Sequence, residues 1–167
     1  MSRYAILIDG AFAIRKLKRR RDAFPTAADI EAVASAIGAD ECLNGLSRLR
    51  VYFYHARPAI QILTNPLSKQ AVALSETRVH ADHARLLNEL EIVGDFALRL
   101  RDTSTVGVTG HSDLIPAFKF ARREGVRVFL CHLDHSVKRE LRAHADRIIR
   151  VDMAALKPGR NPLVRAA

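Results

Sequence analysis

The chain has 167 residues, 49% of them hydrophobic, and its 27 Lys and Arg against 18 Asp and Glu give a net charge of +9. That balance suits a folded domain with a sizeable core and excludes a disordered chain. No apolar run approaches the roughly 20 residues that span a bilayer, so no membrane partner is expected and the protein is read as cytoplasmic.

Residues 4–8 form a short apolar run that ends in Asp9-Gly10, the pattern of a strand buried on both faces followed by a turn. A helix is expected over residues 11–21, and its end carries Lys16, Lys18, Arg19, Arg20 and Arg21, cations that suit a helix C-terminus. Thr26 with Asp29 three residues later reads as a capping box, and Ile30, Val33 and Ile37 follow at helical spacing toward an end near Gly45. A second strand is expected over residues 51–54, then a helical region over 66–90 with Leu86, Leu87 and Leu90 as its apolar face.

Phe96, Leu98 and Leu100 alternate with Ala97, Arg99 and Arg101, which predicts a strand with one solvated face. Another strand is expected at 106–109 and a helix over 114–123, with Pro116 in its first turn and Gly125 as a left-handed cap. Strands at 126–130 and 148–151 flank a helix expected over 136–145. The tail, 157–167, contains Pro158, Gly159 and Pro162 without periodicity and is expected to be disordered, leaving one domain over 1–156.

Alternating strands and helices predict an α/β fold, a mostly parallel central sheet flanked by helices. One junction departs from it: about four residues separate the Phe96 strand from the Val106 strand, whereas a parallel crossover needs roughly a dozen.

Ligands of open α/β sheets bind beyond the carboxyl ends of the strands, where Asp9 and Asp113 both fall. Two converging carboxylates repel, and a divalent cation keeps both ionised while activating water toward a phosphodiester. An Asp after a strand is also an ordinary turn former or helix cap. The positive net charge attracts polyanions through counterion release, which makes nucleic acid the leading partner. Lys119, Arg122 and Arg123 stand at helical spacing after Asp113, and Tyr52, Tyr54 and Phe12 are the aromatic candidates for base contact. Tyr52 and Tyr54 are read first as core or strand-face residues.

His80 with His83, and His132 with His135, could each share a helical face, but neither pair has a third ligand nearby. Cys42 and Cys131 lie far apart in no metal-ligand spacing and are read as reduced structural thiols. No Walker loop, dinucleotide fingerprint or nucleophile elbow is present in the sequence.

The run Tyr4-Ala5-Ile6-Leu7-Ile8-Asp9-Gly10 and the later run Val106-Gly107-Val108-Thr109-Gly110-His111-Ser112-Asp113-Leu114-Ile115-Pro116 resemble the motif segments of the NYN branch of PIN-like ribonucleases. The resemblance implies a PIN-like fold and an acidic cluster that binds Mg2+ or Mn2+ for RNA cleavage. Asp9 matches the first acid of the family and Asp113 the last acid of its Gly-Asp-Ser-Asp motif.

Three positions depart from the pattern. Phe12 stands where the family has Asn, His111 replaces the first Asp of that motif, and the helix with a further acid is missing before Thr105. His111 is then a softer replacement ligand, and Asp102 a stand-in acid that is equally a plain turn residue. For RNA contact the basic candidates are Lys18, Arg19, Arg20, Arg21, Lys119, Arg122 and Arg123, which could equally be solvated helix faces. A catalytically impaired RNA-binding or assembly module is the alternative reading. The missing crossover helix predicts an uncovered sheet face and a homodimer, with Phe96, Leu98 and Leu100 at the contact, unless the helical region over 66–90 folds over that face and leaves a monomer.

Overall fold

A computed structural model describes residues 2–64, 67–101, 115–133 and 136–156. The strand expected at 106–109, the expected site residues Asp102, His111 and Asp113, and the tail 157–167 lie outside the described residues. The chain is an α/β protein whose central sheet is parallel and flanked by helices, in the order β1 (Arg3–Asp9), β2 (Ser47–Ala56), β3 (Phe96–Arg101). To keep chain order, the short hairpin strands between β2 and β3 are called βa (Ile62–Thr64) and βb (Ala71–Ala73).

Between β1 and β2 run α1 (Gly10–Arg21) and α2 (Ala27–Gly38), and between β2 and β3 runs α3 (Arg78–Val93). The sheet adds each new strand on the same side, and right-handed crossovers then put every connecting helix on one face. On that face Ile6, Ile8, Val51, Phe53 and Phe96 meet Ile14 and Leu17 of α1, Ile30 and Val33 of α2, and Leu86 and Leu90 of α3. Gly10 opens α1 hard against this layer: a Cβ there would stand 2.6 Å from the Phe53 ring and 2.9 Å from the Tyr54 carbonyl oxygen.

The helix ends follow from local chemistry. The Asp29 carboxylate accepts the Thr26 N–H at 2.9 Å, forming the expected capping box, and α2 stops at Gly38, seven residues short of Gly45. One turn of 3-10 helix at Glu41–Leu43 fills the difference. Glu89 of α3 accepts the Ala27 N–H at 3.0 Å and pairs with Arg85 at 2.8 Å, so a carboxylate sits at the positive end of α2.

The helical region expected from residue 66 begins at Arg78 instead. Ala71–Ala73 pairs antiparallel with Ile62–Thr64, the Leu74 N–H closes the hairpin on the Gln61 carbonyl at 3.0 Å, and Thr77 caps α3 by accepting the His80 N–H at 3.2 Å. The expected apolar face is in place, with Leu86, Leu87 and Leu90 buried.

Beyond β3 the described chain continues with α4 (Ile115–Arg123), β4 (Phe129–Leu133), α5 (Arg139–Arg142) and β5 (Arg147–Val151). Gly125 takes φ +72° after α4, the left-handed cap expected of it. β4 starts three residues later than expected because Val128 is tied elsewhere. Its N–H donates to the Asp146 carboxylate at 2.8 Å and its carbonyl accepts the Asp146 N–H at 2.8 Å. The helix expected over 136–145 shrinks to the four residues of α5. β4 and β5 pair in parallel, and Leu133, Ile149 and Val151 join the common core.

Phe96 is buried, and Leu98 and Leu100 pack against the core, so these three side chains do not form the uncovered face expected of them. The open face is the opposite one, where Leu7 is 66% and Tyr54 40% exposed.

Candidate nucleic-acid interface and acidic strand end

Asp9 ends β1 with its side chain exposed, and its Oδ1 accepts the Phe12 N–H at 3.0 Å as the N-cap of α1. The carboxylate is thereby held in a fixed direction at the carboxyl end of the parallel sheet. The cap also explains the aspartate structurally, since an Asp to Ala change at such a site costs about 1 kcal/mol of helix stability.

A second group beside Asp9 is not visible in local spacing. His55, next to the end of β2, brings its Nε2 within 2.7 Å of Nδ1 of His83 on α3, with the two rings within 6° of parallel. Phe24 meets the His83 ring edge-on at 4.8 Å between centroids. Burial pushes the His55 imidazole down to about 4 and the His83 neighbour adds to the shift, while the Asp9 carboxylate opposes it. Burial also lowers His83, with Lys18 and His80 adding and Asp82 opposing. Both rings are therefore neutral at neutral pH and one proton lies between them.

Among the described residues, Nδ1 of His55 is buried without a partner. An unpaired buried N–H costs more than an unpaired lone pair, so His55 donates through Nε2–H and His83 accepts through Nδ1. His80, paired with His83 on sequence spacing, turns away to bond the Ala59 carbonyl through Nδ1 at 3.0 Å.

The cations fall into two groups. Lys18, Arg19 and Arg20 project from α1 as exposed side chains, with Arg21 as the last residue of that helix. Arg20 spends one N–H on the Ala154 carbonyl at 3.2 Å. Phe12 lies under Arg15 and Lys16 at 5.6 and 5.5 Å from its ring centroid. Lys119, Arg122 and Arg123 come together on α4 and line an open cleft of about 320 Å³ with His144. Arg122 is partly neutralised there by Asp146 at 3.2 Å. Ile115, Phe118 and Ala121 of α4 are half-buried, and Lys119, Arg122 and Arg123 are exposed. His144 lies 21 residues beyond Arg123 and carried no sequence signal.

The thiols follow the structural reading. Burial raises Cys131 to about 12, with Asp40 adding, and burial raises Cys42 as well, so neither is a nucleophile at neutral pH. Among the described residues, no group of three or more His, Cys, Asp or Glu is placed to hold a metal ion. Of the four expected metal ligands only Asp9 lies among the described residues, and Asp113, His111 and Asp102 do not. Among the described residues, no helix is long and apolar enough to cross a membrane.

No family model matches the sequence, and no curated protein does. A crystal structure of a protein of unknown function from Vibrio parahaemolyticus aligns with 91% of this chain and 94% of its own, at 12% identity and a TM-score of 0.48.

Proposed function

We propose that this chain binds RNA and cleaves its phosphodiester backbone with a divalent cation, Mg2+ or Mn2+, for which Asp9 is one ligand. The observation that carries the reading is the exposed Asp9 carboxylate at the carboxyl end of a parallel sheet, in a protein of net charge +9. That edge is where open α/β sheets hold their ligands, and the sequence resemblance to the NYN nucleases falls on the same residue. When bound, the cation would neutralise phosphate charge and activate water.

The chain's own residues have three tasks in this reading. The Phe12 N–H holds Asp9 in one orientation. Lys18, Arg19, Arg20 and Arg21 on α1, with Lys119, Arg122 and Arg123 on α4, attract the RNA backbone. Asp113 is the second proposed ligand, with His111 and Asp102 as further candidates. A cytoplasmic location belongs to the same proposal, and so does a homodimer, whose contact would lie off the open sheet face.

A second reading, an RNA-binding module without turnover, is favoured by one observation: the helix cap already gives Asp9 a structural task. Incubation of the purified protein with single-stranded and structured RNA, in Mn2+, Mg2+ or chelator, separates the two. The nuclease reading expects cleavage that chelator stops and that Asp113→Asn abolishes. Cleavage that survives Asp113→Asn would point to a contaminant, and salt-sensitive binding without cleavage would establish the second reading.

A further inference from the structure

The sheet face turned away from the helices has an unusual composition for a parallel sheet. Such sheets are normally covered on both faces and read as continuous Val, Ile and Leu. Here the register sets Ala5 beside Arg50, Leu7 beside Tyr52, and Asp9 beside Tyr54. On the other side of β2 it sets Tyr52 beside Ala97 and Tyr54 beside Arg99. Residues paired across a parallel ladder share a face, so Arg50, Tyr52, Tyr54 and Arg99 stand together with Leu7, and Asp9 closes the carboxyl rim.

Arg50, Arg99 and Tyr54 are exposed, and the Arg99 guanidinium lies over the Tyr52 ring at 5.1 Å from its centroid. Two of the three tyrosines of the chain are on this face. The one-sided crossovers explain why it is open, and the side chains explain what it accepts.

We propose that this face is a stacking platform for single-stranded RNA, with Tyr54 and the Arg99–Tyr52 pair receiving bases and Arg50 contacting the backbone. The proposal rests on the RNA reading above and adds to it the substrate class and a set of contacts distinct from the basic ridges of α1 and α4. Aromatic rings and guanidinium planes stack on bases of any sequence, provided those bases are unpaired. A duplex hides its base faces and would gain nothing from Tyr54. A strand lying along this face would carry its backbone past Asp9, which is adjacent to Tyr54 across the ladder.

The charge of the face decides between RNA and a second copy of the chain. Face-to-face pairing of two copies about a two-fold axis would bring the Arg50 and Arg99 side chains of both into one interface, with Asp9 at the rim as the acid of this face among the described residues. Like charges set opposite each other disfavour that arrangement, and a polyanion removes the conflict.

Fluorescence anisotropy of a labelled single-stranded oligouridylate and of a labelled RNA duplex, with the wild-type chain and with Tyr54→Ser, Tyr54→Phe and Arg99→Gln, tests the proposal. Thermal unfolding of each variant verifies that the sheet is intact. Tyr54→Ser is expected to weaken single-strand binding about tenfold or more, leave duplex binding unchanged, and be rescued by Tyr54→Phe, which keeps the ring. Arg99→Gln is expected to weaken single-strand binding as well.

Full single-strand affinity in folded Tyr54→Ser would overturn the platform while leaving RNA binding through the helices intact. Equal losses for strand and duplex would overturn it too. A wild-type chain that binds neither probe would fail the RNA reading itself. A concentration-dependent dimer that Tyr54→Ser dissociates would assign the face to a second copy and overturn the proposal.

Discussion

Lowering the pH from about 7.5 to about 5 protonates His55 in the unfolded chain well before it does so in the fold, where burial holds the imidazole near 4 against an ordinary value of 6.5. A His whose folded value is depressed contributes stability that is present above the unfolded value and is lost as pH falls toward the folded one. The window therefore runs from 6.5 down to about 4. Linkage over that gap amounts to roughly 2 kcal/mol by about pH 5. Because water reaches part of the ring, about 1 kcal/mol is the working figure.

His55→Gln removes the titrating group together with its 2.7 Å bond to His83. At about pH 7.5 the variant should be less stable than the wild type, because it loses that bond and the packing against Phe53. At about pH 5 the gap should narrow by ~1 kcal/mol, since the variant no longer carries the acid penalty. Urea unfolding of both proteins at the two pH values gives the number directly. A gap that stays constant, or a wild type more stable at about pH 5 than at about pH 7.5, would refute the neutral, proton-sharing imidazole pair.

Two further substitutions and one salt series probe other parts of the account. Gly10→Ala should destabilise the chain by about 1–3 kcal/mol, because its Cβ would meet the buried Phe53 ring and the Tyr54 carbonyl; a change under about 0.5 kcal/mol in urea unfolding would show that the junction yields freely. Asp29→Ala should cost about 1 kcal/mol through loss of the bond to the Thr26 N–H, checked by the same assay, and an unchanged midpoint would contradict the capping box. Joint replacement of Lys18, Arg19 and Arg20 by Gln should weaken RNA binding at every sequence and lower the slope of log affinity against log salt by about 2–3, and an unchanged slope would remove α1 from the interface.

Features set by neighbouring residues were legible in the sequence. The Thr26–Asp29 capping box, the left-handed Gly125 and the Leu86-Leu87-Leu90 face depend on a few adjacent residues and took the form expected. The βa–βb hairpin escaped because three-residue strands carry too little periodicity to compete with a helical reading, although Thr77 signals where α3 begins. His55 and His83 are 28 residues apart, so no spacing rule pairs them, and the visible spacing favoured His80, which bonds the Ala59 carbonyl instead.

The alternation around Phe96 was legible, but which face would be open was not. The alternating pattern separates the two faces of a strand, while the hand of the crossovers decides which face the helices cover. Asp9 is at the strand end as expected, and its bond to the Phe12 N–H is the helix cap that an Asp after a strand offers.

The most direct measurement of the central claim is single-turnover cleavage of a single-stranded RNA in Mn2+ by the wild type and by Asp9→Asn, with RNA affinity measured in parallel. The side-chain amide of Asn keeps an oxygen for the Phe12 N–H, so the helix cap survives while the charge that would hold the cation is lost. A cation-binding Asp9 predicts a cleavage rate lower by about a hundredfold or more at unchanged RNA affinity, since a metal ligand contributes several kcal/mol to the transition state. Undiminished cleavage by Asp9→Asn, or a wild type that binds RNA and never cuts it in either Mn2+ or Mg2+, would contradict the claim.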